Sequence, residues 1–474
     1  MMKSERTTCL VVGGGPAGMV LGLLMARAGV HVTVLEKHAD FLRDFRGDTV
    51  HASTLTLLDE LGLGEKFAAL PQRRLERMQV QLDGGSAYVA DMRRLPGAHQ
   101  HIALVPQWDF LDLLAGAAQE EPSFTLRRNA EVTGLHREGD RVTGVRFRDR
   151  VDGAEHELRA ALTVACDGRH STVRAAAGLR PRSFGVPMDV WWFRLPRRAD
   201  DPAGGVGRFS TGHLAVMIDR GDYWQCAYLI RKGTDTQLRA AGIGELRRRF
   251  AGLLPWLGDR VDALGSWDDV KLLDVRLERL RRWYTDGLLL IGDAAHAMSP
   301  VGGVGINLAV ADAVAAARLL APALRTGGHV PPATLRRVQV RRWGPTALIQ
   351  AAQRLAHRAI LGRALVDAPA PGSGPEPAVR SSTPPCGFSG NGPAPDAIGD
   401  LPLPVRLAQR FPRLQGIPAR FVAIGPLPEH APPWARRAPQ TVPPAGASPS
   451  VDDGATSGVR TLVSVLPGGR PVPG

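Results

Sequence analysis

The chain has 474 residues, 44% of them hydrophobic, enough to bury more than one domain-sized core. Its formal charge is +13, but lysines number five, and the arginines that carry the excess are scattered as doublets and triplets such as Arg73-Arg74, Arg247-Arg248-Arg249 and Arg281-Arg282. With no long basic block interleaved with aromatics, the composition argues against a nucleic-acid-binding protein and leaves a general positive field suited to anionic cofactors.

Residues 7–12 read as a buried strand that runs into the turn Gly13-Gly14-Gly15-Pro16, unlike the longer apolar run and small-residue cleavage site of a secretory signal. An apolar helix follows over 16–28, opened by proline and closed by Gly29, and residues 31–36 alternate as a second strand. Helices are expected over 53–61, with Ser53 as a good N-cap, and over 107–118. An antiparallel meander is expected over 126–151, with turns at Gly139-Asp140 and Asp152-Gly153, and a buried strand over 162–166. From about 183 to 274 strand-like segments dominate (190–195, 214–218, 224–230), as in a separate sheet inserted into the first domain. Residues 287–292 form another buried strand, followed by a loop, an Ala-rich helix ending at Leu324 and a helical stretch over 335–365. No run of about 18 charge-free apolar residues is present, so no membrane span is expected. The four cysteines, Cys9, Cys166, Cys226 and Cys386, form no Cys-x-x-Cys pair; this disfavours a disulfide scaffold or zinc site and suits a cytoplasmic location. Residues 367–400 are a Pro/Gly-rich linker and 432–474 a tail; 369–398 and 432–474 are expected to be disordered because they hold too little apolar surface to offset ordering entropy. Between them, 401–431 is amphipathic and reads as a terminal helical segment that packs back on the body, or else makes a peripheral membrane contact.

Gly13-x-Gly15-x-x-Gly18 sits between the first strand and helix. Gly13 permits the tight turn, Gly15 lets the backbone approach a pyrophosphate, and Gly18 lets helix pack on strand. The helix N-terminus at Pro16 and Ala17 then offers unpaired N–H groups and a partial positive charge to phosphates. Glu36, followed by Lys37, closes the second strand about 20 residues on, placed to grip ribose hydroxyls. Together these predict a dinucleotide without separating FAD from NAD.

Two further stretches separate them: Cys166-Asp167-Gly168-Arg169-His170-Ser171-Thr172-Val173-Arg174, and Gly292-Asp293-Ala294-Ala295-His296-Ala297-Met298-Ser299-Pro300 with Gly302-Gly303-Val304-Gly305-Ile306-Asn307 after it. In order and spacing, the three motifs resemble the para-hydroxybenzoate-hydroxylase-like (group A) FAD-dependent monooxygenases, over roughly residues 7–360. The resemblance implies an α/β fold: a Rossmann-like FAD-binding domain over 1–182 with 275–325, an inserted β-rich substrate domain over 183–274, and C-terminal helices over 326–366. It implies that Arg46 and Gln107 touch FAD, and that Asp167 and Gly168 serve the FAD pyrophosphate and the nicotinamide co-substrate. It places Pro300 beside the reactive flavin carbon and the main chain at Asn307 and Leu308 against the pyrimidine edge.

The residues carry their own physics. Asp293 follows a buried strand and so sits at the strand edge where open α/β sheets bind ligands, able to accept from ribityl hydroxyls or, alternatively, to cap the next helix. Gly303 and Gly305 let a flat ring approach the backbone, and a helix opening at Ile306 and Asn307 would stabilise an anion at the ring edge. Arg174 could pair with phosphate or with Asp167. One dinucleotide fingerprint rather than two fits NADPH or NADH docking on the FAD domain. The implied reaction is hydroxylation of an aromatic or other apolar small molecule with O2, through a flavin C4a-hydroperoxide, with no metal; His296 reads as a loop residue rather than a ligand.

The substrate end is less defined. By period two, Trp224, Cys226 and Tyr228 share one face, and Trp191, Trp224 and Tyr228 are the candidate pocket lining; the same face could instead be core between sheet and helices. No residue presents itself as a phenol-activating base. Trp191-Trp192-Phe193-Arg194-Leu195-Pro196 partly matches a halogenase box but reads as a strand ended by proline. The alternatives are an FAD-dependent reductase or dehydrogenase acting on a polyprenyl or lipid-like substrate and, outside enzymes, a flavin-binding regulator.

Overall fold

The computed structural model describes residues 4–42, 49–82, 85–201, 204–210, 212–358 and 403–439, all within the compact unit Met1–Gln440. Arg46, the linker 367–400 and most of the tail lie outside the described residues.

Four strands rich in β-branched and aliphatic residues, Ser4–Val12, Val32–Leu35, Glu155–Ala165 and Leu288–Leu290, pair in parallel, with Phe124–Arg127 added at one edge and the short antiparallel strand Tyr284–Thr285 at the other. Both faces are covered, as parallel sheets require. On one side lie the helices Pro16–Arg27, Gln107–Gln119 and Gly305–Arg325, packed through Met19, Leu23, Phe110, Leu114, Val310 and Val314. On the other lies the meander Ala130–Glu138 and Arg141–Asp149, whose Val132, Val142, Val145 and Phe147 bury against Trp283. Helix Gly305–Arg325 falls in a stretch long and apolar enough to cross a membrane, but 72% of that window is buried inside the protein, as for a core helix.

The second sheet has seven strands in the order Lys271–Leu273, Met188–Pro196, Tyr223–Arg231, His213–Asp219, Gly205–Ser210, Arg77–Leu82, Gly85–Asp91. The last two correct the domain limits read from the sequence: a hairpin within 1–182 belongs to the substrate sheet, because Gln79 pairs in parallel with Val206. Pairing across that separation leaves no local pattern to read. The helix predicted over 53–61 is Ala52–Glu60, and its N-cap is His51, not Ser53.

The amphipathic segment after the linker does pack back. Its helices Leu403–Arg410 and Gly416–Ala423 reach from the second sheet, where Gln409 Nε2 donates to the Tyr88 carbonyl at 2.5 Å, toward the first domain. Beyond them, residues 432–439, expected to be disordered, are ordered: Ala435 is fully buried and its carbonyl accepts from the Arg27 guanidinium at 2.9 Å. Ala435 and Trp434, packed on the core of the first domain, and this arginine hold down a segment whose composition alone reads as tail.

Candidate FAD and substrate site

Val12 is in register with both Leu35 and Ala165, and Ala165 with Leu290. The four parallel strands therefore end side by side, and each delivers a motif at the same sheet edge: Gly13, Glu36, Asp167 and Gly292. Gly13 adopts φ +101°, and a Cβ there would lie 2.6 Å from the Cys166 carbonyl oxygen. The first and second motifs thus touch through a backbone that admits no side chain. Gly18 is tighter still, its Cβ position lying 1.9 Å from the Gly13 oxygen.

Glu36 is buried, and its carboxylate accepts from the backbone N–H of Gly14 at 2.8 Å and of His38 at 3.1 Å. It fixes the glycine turn. Lys37 is exposed at the rim, while Gln107 opens its helix half-buried. Ala17 packs with Ala309 against the Cβ position of Gly292, at 3.4 and 3.3 Å. Small residues on both helices let the first and third motifs meet.

Arg174 does not reach for phosphate. It is buried, and its guanidinium donates to the carbonyls of Ala294 at 3.1 Å and Arg169 at 2.6 Å, so it straps the second motif to the third. Asp167 accepts from the Val173 N–H at 3.1 Å, and burial pushes its carboxyl above the ordinary carboxylate range. Asp293 caps no helix: it lies in the 3-10 turn Gly292–Ala294, its carboxylate 3.2 Å from the Arg169 guanidinium and part-exposed.

Pro300 opens the turn Val301–Gly303, and helix Gly305–Arg325 begins with no capping side chain. Leu308 is a correction: its N–H bonds the Val304 carbonyl at 3.1 Å, so the N–H groups free for a ligand belong to the first turn, at Gly305, Ile306 and Asn307. The Asn307 side chain turns inward, where its Oδ1 accepts from the His51 N–H at 3.0 Å and Thr54 Oγ1 at 2.7 Å. Thr49 Oγ1 donates to the Gly303 carbonyl at 2.9 Å. Thr49, His51 and Thr54, which position the loop, escaped the sequence reading because nothing in their spacing marks them.

Trp191, Trp224 and Tyr228 are core, not pocket. All are nearly fully buried against Leu246, Phe250 and Leu253, on helix Ile243–Leu253. The opposite face of the same sheet, with Val190, Trp192, Leu214, Ala227 and Leu229, is the one that meets Val301 of the glycine loop. The period-two reading grouped these residues on one face correctly, and of its two alternatives for that face, pocket lining or core, the structure has core. His296 is likewise a core residue, 1% exposed and 2.5 Å from Asp312.

Residues 6–337 match the family model described as FAD binding domain. The chain belongs to this family. Within it, the chain is 37% identical over 323 residues to the 6-methylpretetramide 4-monooxygenase of Streptomyces rimosus, covering 67% of itself and 76% of that protein. It is 29% identical to the rifampicin monooxygenase of Streptomyces venezuelae, of which it spans 62%. Among solved structures, the OxyS anhydrotetracycline hydroxylase of Streptomyces rimosus superposes with a TM-score of 0.63 at 23% identity, covering 88% of this chain and 76% of that one; at that identity the likeness is one of fold. FAD-binding-domain proteins of this kind are FAD-dependent monooxygenases that use NAD(P)H.

The residues fit that cofactor. Cβ positions on Gly15, Gly168 and Gly305 meet no atom within 4 Å, so the three motif backbones border open space. Beside these backbones stand the uncapped N-termini of helices Pro16–Arg27 and Gly305–Arg325 and the Glu36 and Asp293 carboxylates. Donor N–H groups for phosphates and acceptors for sugar hydroxyls are the chemistry an FAD requires.

His51 carries a pH signature. It is fully buried; burial drives its imidazole down to about 4, while the bond from Nδ1 to the Val422 carbonyl at 2.9 Å partly opposes this. The unfolded chain takes up this proton near pH 6.5 and the native state refuses it. Stability is therefore full above pH 6.5 and falls toward pH 4, by roughly 3 kcal/mol for a shift of this size. His51→Gln is expected to flatten that part of the acid slope, read as urea midpoints at pH 7 and 4.5; an unchanged slope refutes the assignment.

Proposed function

We propose that the protein is a NAD(P)H- and O2-dependent hydroxylase of an apolar, ring-bearing small molecule, held between the glycine loop and the flavin-side face of the second sheet. The observation that carries this reading is the convergence of four strand ends on one open glycine cradle, with an apolar sheet face meeting the loop at Val301. FAD, when bound, supplies flavin reduction by NAD(P)H and activation of O2.

The chain's own residues do the rest. Glu36 is placed for ribose hydroxyls, the Gly15–Pro16 turn for the pyrophosphate, and Asp293 for the ribityl chain. The first-turn N–H groups at Gly305, Ile306 and Asn307 would face the flavin's ring edge, where a pre-oriented helix terminus would stabilise negative charge without reorganising. Pro300 and Gly303 bound the loop on which the ring would lie. Val190, Trp192 and Leu229 would exclude water beside it, which would strengthen each of these interactions. The relatives' names include tetracycline precursors, rifampicin and para-nitrophenol, which supports an aromatic substrate, and the breadth of the apolar face favours a fused-ring one. A cytoplasmic working place is in keeping with the free cysteines Cys9, Cys166 and Cys226 among the described residues.

The test is direct. Purified protein should be yellow, and NADPH oxidation should rise at least about tenfold with a fused-ring phenol, with one oxygen atom found in the product by mass spectrometry under 18O2. Substrate-dependent NADPH oxidation without label incorporation would instead favour a reductase.

A further inference from the structure

The family match ends at residue 337, yet the chain returns to the site much later. Helix Gly416–Ala423 buries Ala419 and Ala423 completely against Ala90, Met92 and Leu95 of the second-sheet hairpin and the turn after it. Val422, which also touches that cluster, and Phe421 carry the helix on to the glycine loop. Phe421 and Val422 pack on Met298, Val304 and Leu308, and Val422 Cγ2 lies 4.0 Å from the Cβ position of Gly302. Both side chains stay only half-buried although apolar.

The helix is fixed at both sides of this contact. The Val422 carbonyl accepts from His51 Nδ1 at 2.9 Å. Seven residues on, the Glu429 carboxylate is buried and paired with Arg341 at 2.7 and 2.9 Å. A helix clamped in this way presents its side chains at fixed positions, as a binding wall must.

We propose that helix Gly416–Ala423 closes the substrate space over the glycine loop, with Phe421 and Val422 as specificity-determining contacts for an apolar ring system. This rests on the hydroxylase reading above. The wall sets how wide a ring system fits between loop and sheet, and side-chain size at 422 is the gauge.

The experiment uses the full-length holoenzyme and two probes, anhydrotetracycline with four rings and para-nitrophenol with one. Binding is followed by perturbation of the flavin absorption band. Every substitution at 422 keeps the carbonyl that holds His51, so the loop anchor survives, and flavin content reports folding. Val422→Trp is expected to weaken anhydrotetracycline at least about tenfold and para-nitrophenol less than about threefold, with KM moving more than kcat. Phe421→Ala should relax the discrimination. Equal shifts for both probes, or none in the variants, overturn the proposal. If neither probe perturbs the wild-type flavin, the substrate class proposed above fails, and the wall is judged on flavin exposure alone. Val422→Ala should then raise acrylamide quenching of flavin fluorescence at least about twofold, and unchanged quenching overturns it.

Discussion

Gly15→Asp is expected to yield a folded protein that purifies without FAD. Gly15 has φ −74° and ψ −177°, extended backbone open to any residue, and its Cβ position meets nothing within 4 Å. It is also the N-cap of helix Pro16–Arg27, where aspartate is among the best residues and stabilises by about 0.5–2 kcal/mol relative to alanine. The apo fold should therefore keep or raise its melting temperature. The same carboxylate fills the space nearest the helix N-terminus and puts like charge where a pyrophosphate belongs. A loss of about 4 kcal/mol, or roughly a thousandfold in affinity, is expected. Flavin absorbance per protein after gel filtration measures it, and a yellow variant would refute the cradle. Gly18→Ala gives the contrast: a Cβ 1.9 Å from the Gly13 oxygen cannot be accommodated, so that variant should lose the fold together with the flavin.

The second large effect is expected at Asp312. It is fully buried in helix Gly305–Arg325, and its two oxygens meet His296 Nε2 at 2.5 Å, the Gly292 N–H at 3.1 Å and Arg342 Nε at 3.0 Å. Burial alone would raise its carboxyl, but His296, Arg342 and the Gly292 N–H together hold it below the ordinary value of 3.8. Asp312→Ala leaves the Arg342 guanidinium, 1% exposed, without its nearest countercharge and should cost about 3–5 kcal/mol. Because the native carboxyl is depressed, its contribution is full above about pH 4 and is lost as pH falls through the native value. Urea denaturation at pH 7 measures the loss. A change under about 1 kcal/mol would mean that Glu429, 3.4 Å from Arg342, suffices alone.

The two effects differ in how far the sequence announces them. Gly13, Gly15, Gly18 and Glu36 were legible because a tight turn between strand and helix tolerates few residue types and fixed spacing repeats the geometry. Asp167 and Gly292 were legible by their position after a buried strand. Asp312 was not, because a lone acid in an Ala-rich helix reads as a solvated position until Arg342 and His296 are seen to surround it. Arg174 failed for the same reason: an arginine on a short helix carries no mark of the two carbonyls it bridges. Trp191 and Tyr228 show a third limit. Alternation assigns side chains to faces, but which face meets a helix and which a cofactor depends on elements far away in the chain.

The route of the chain through this cradle also dictates when a flavin can be captured during synthesis. Three of the four strand ends exist once residue 168 has emerged, but the fourth, at Gly292, and the helix terminus at Gly305 come more than a hundred residues later. Arg341 and Arg342 then wait for Glu429, almost ninety residues further on. A ribosome-bound chain therefore passes through a long interval with a half-built dinucleotide site, a state prone to non-native collapse. Cofactor loading waits until the strand end at Gly292 and the helix terminus at Gly305 have emerged, and expression yield is expected to depend on free FAD late in translation more than on its supply while the first half is made.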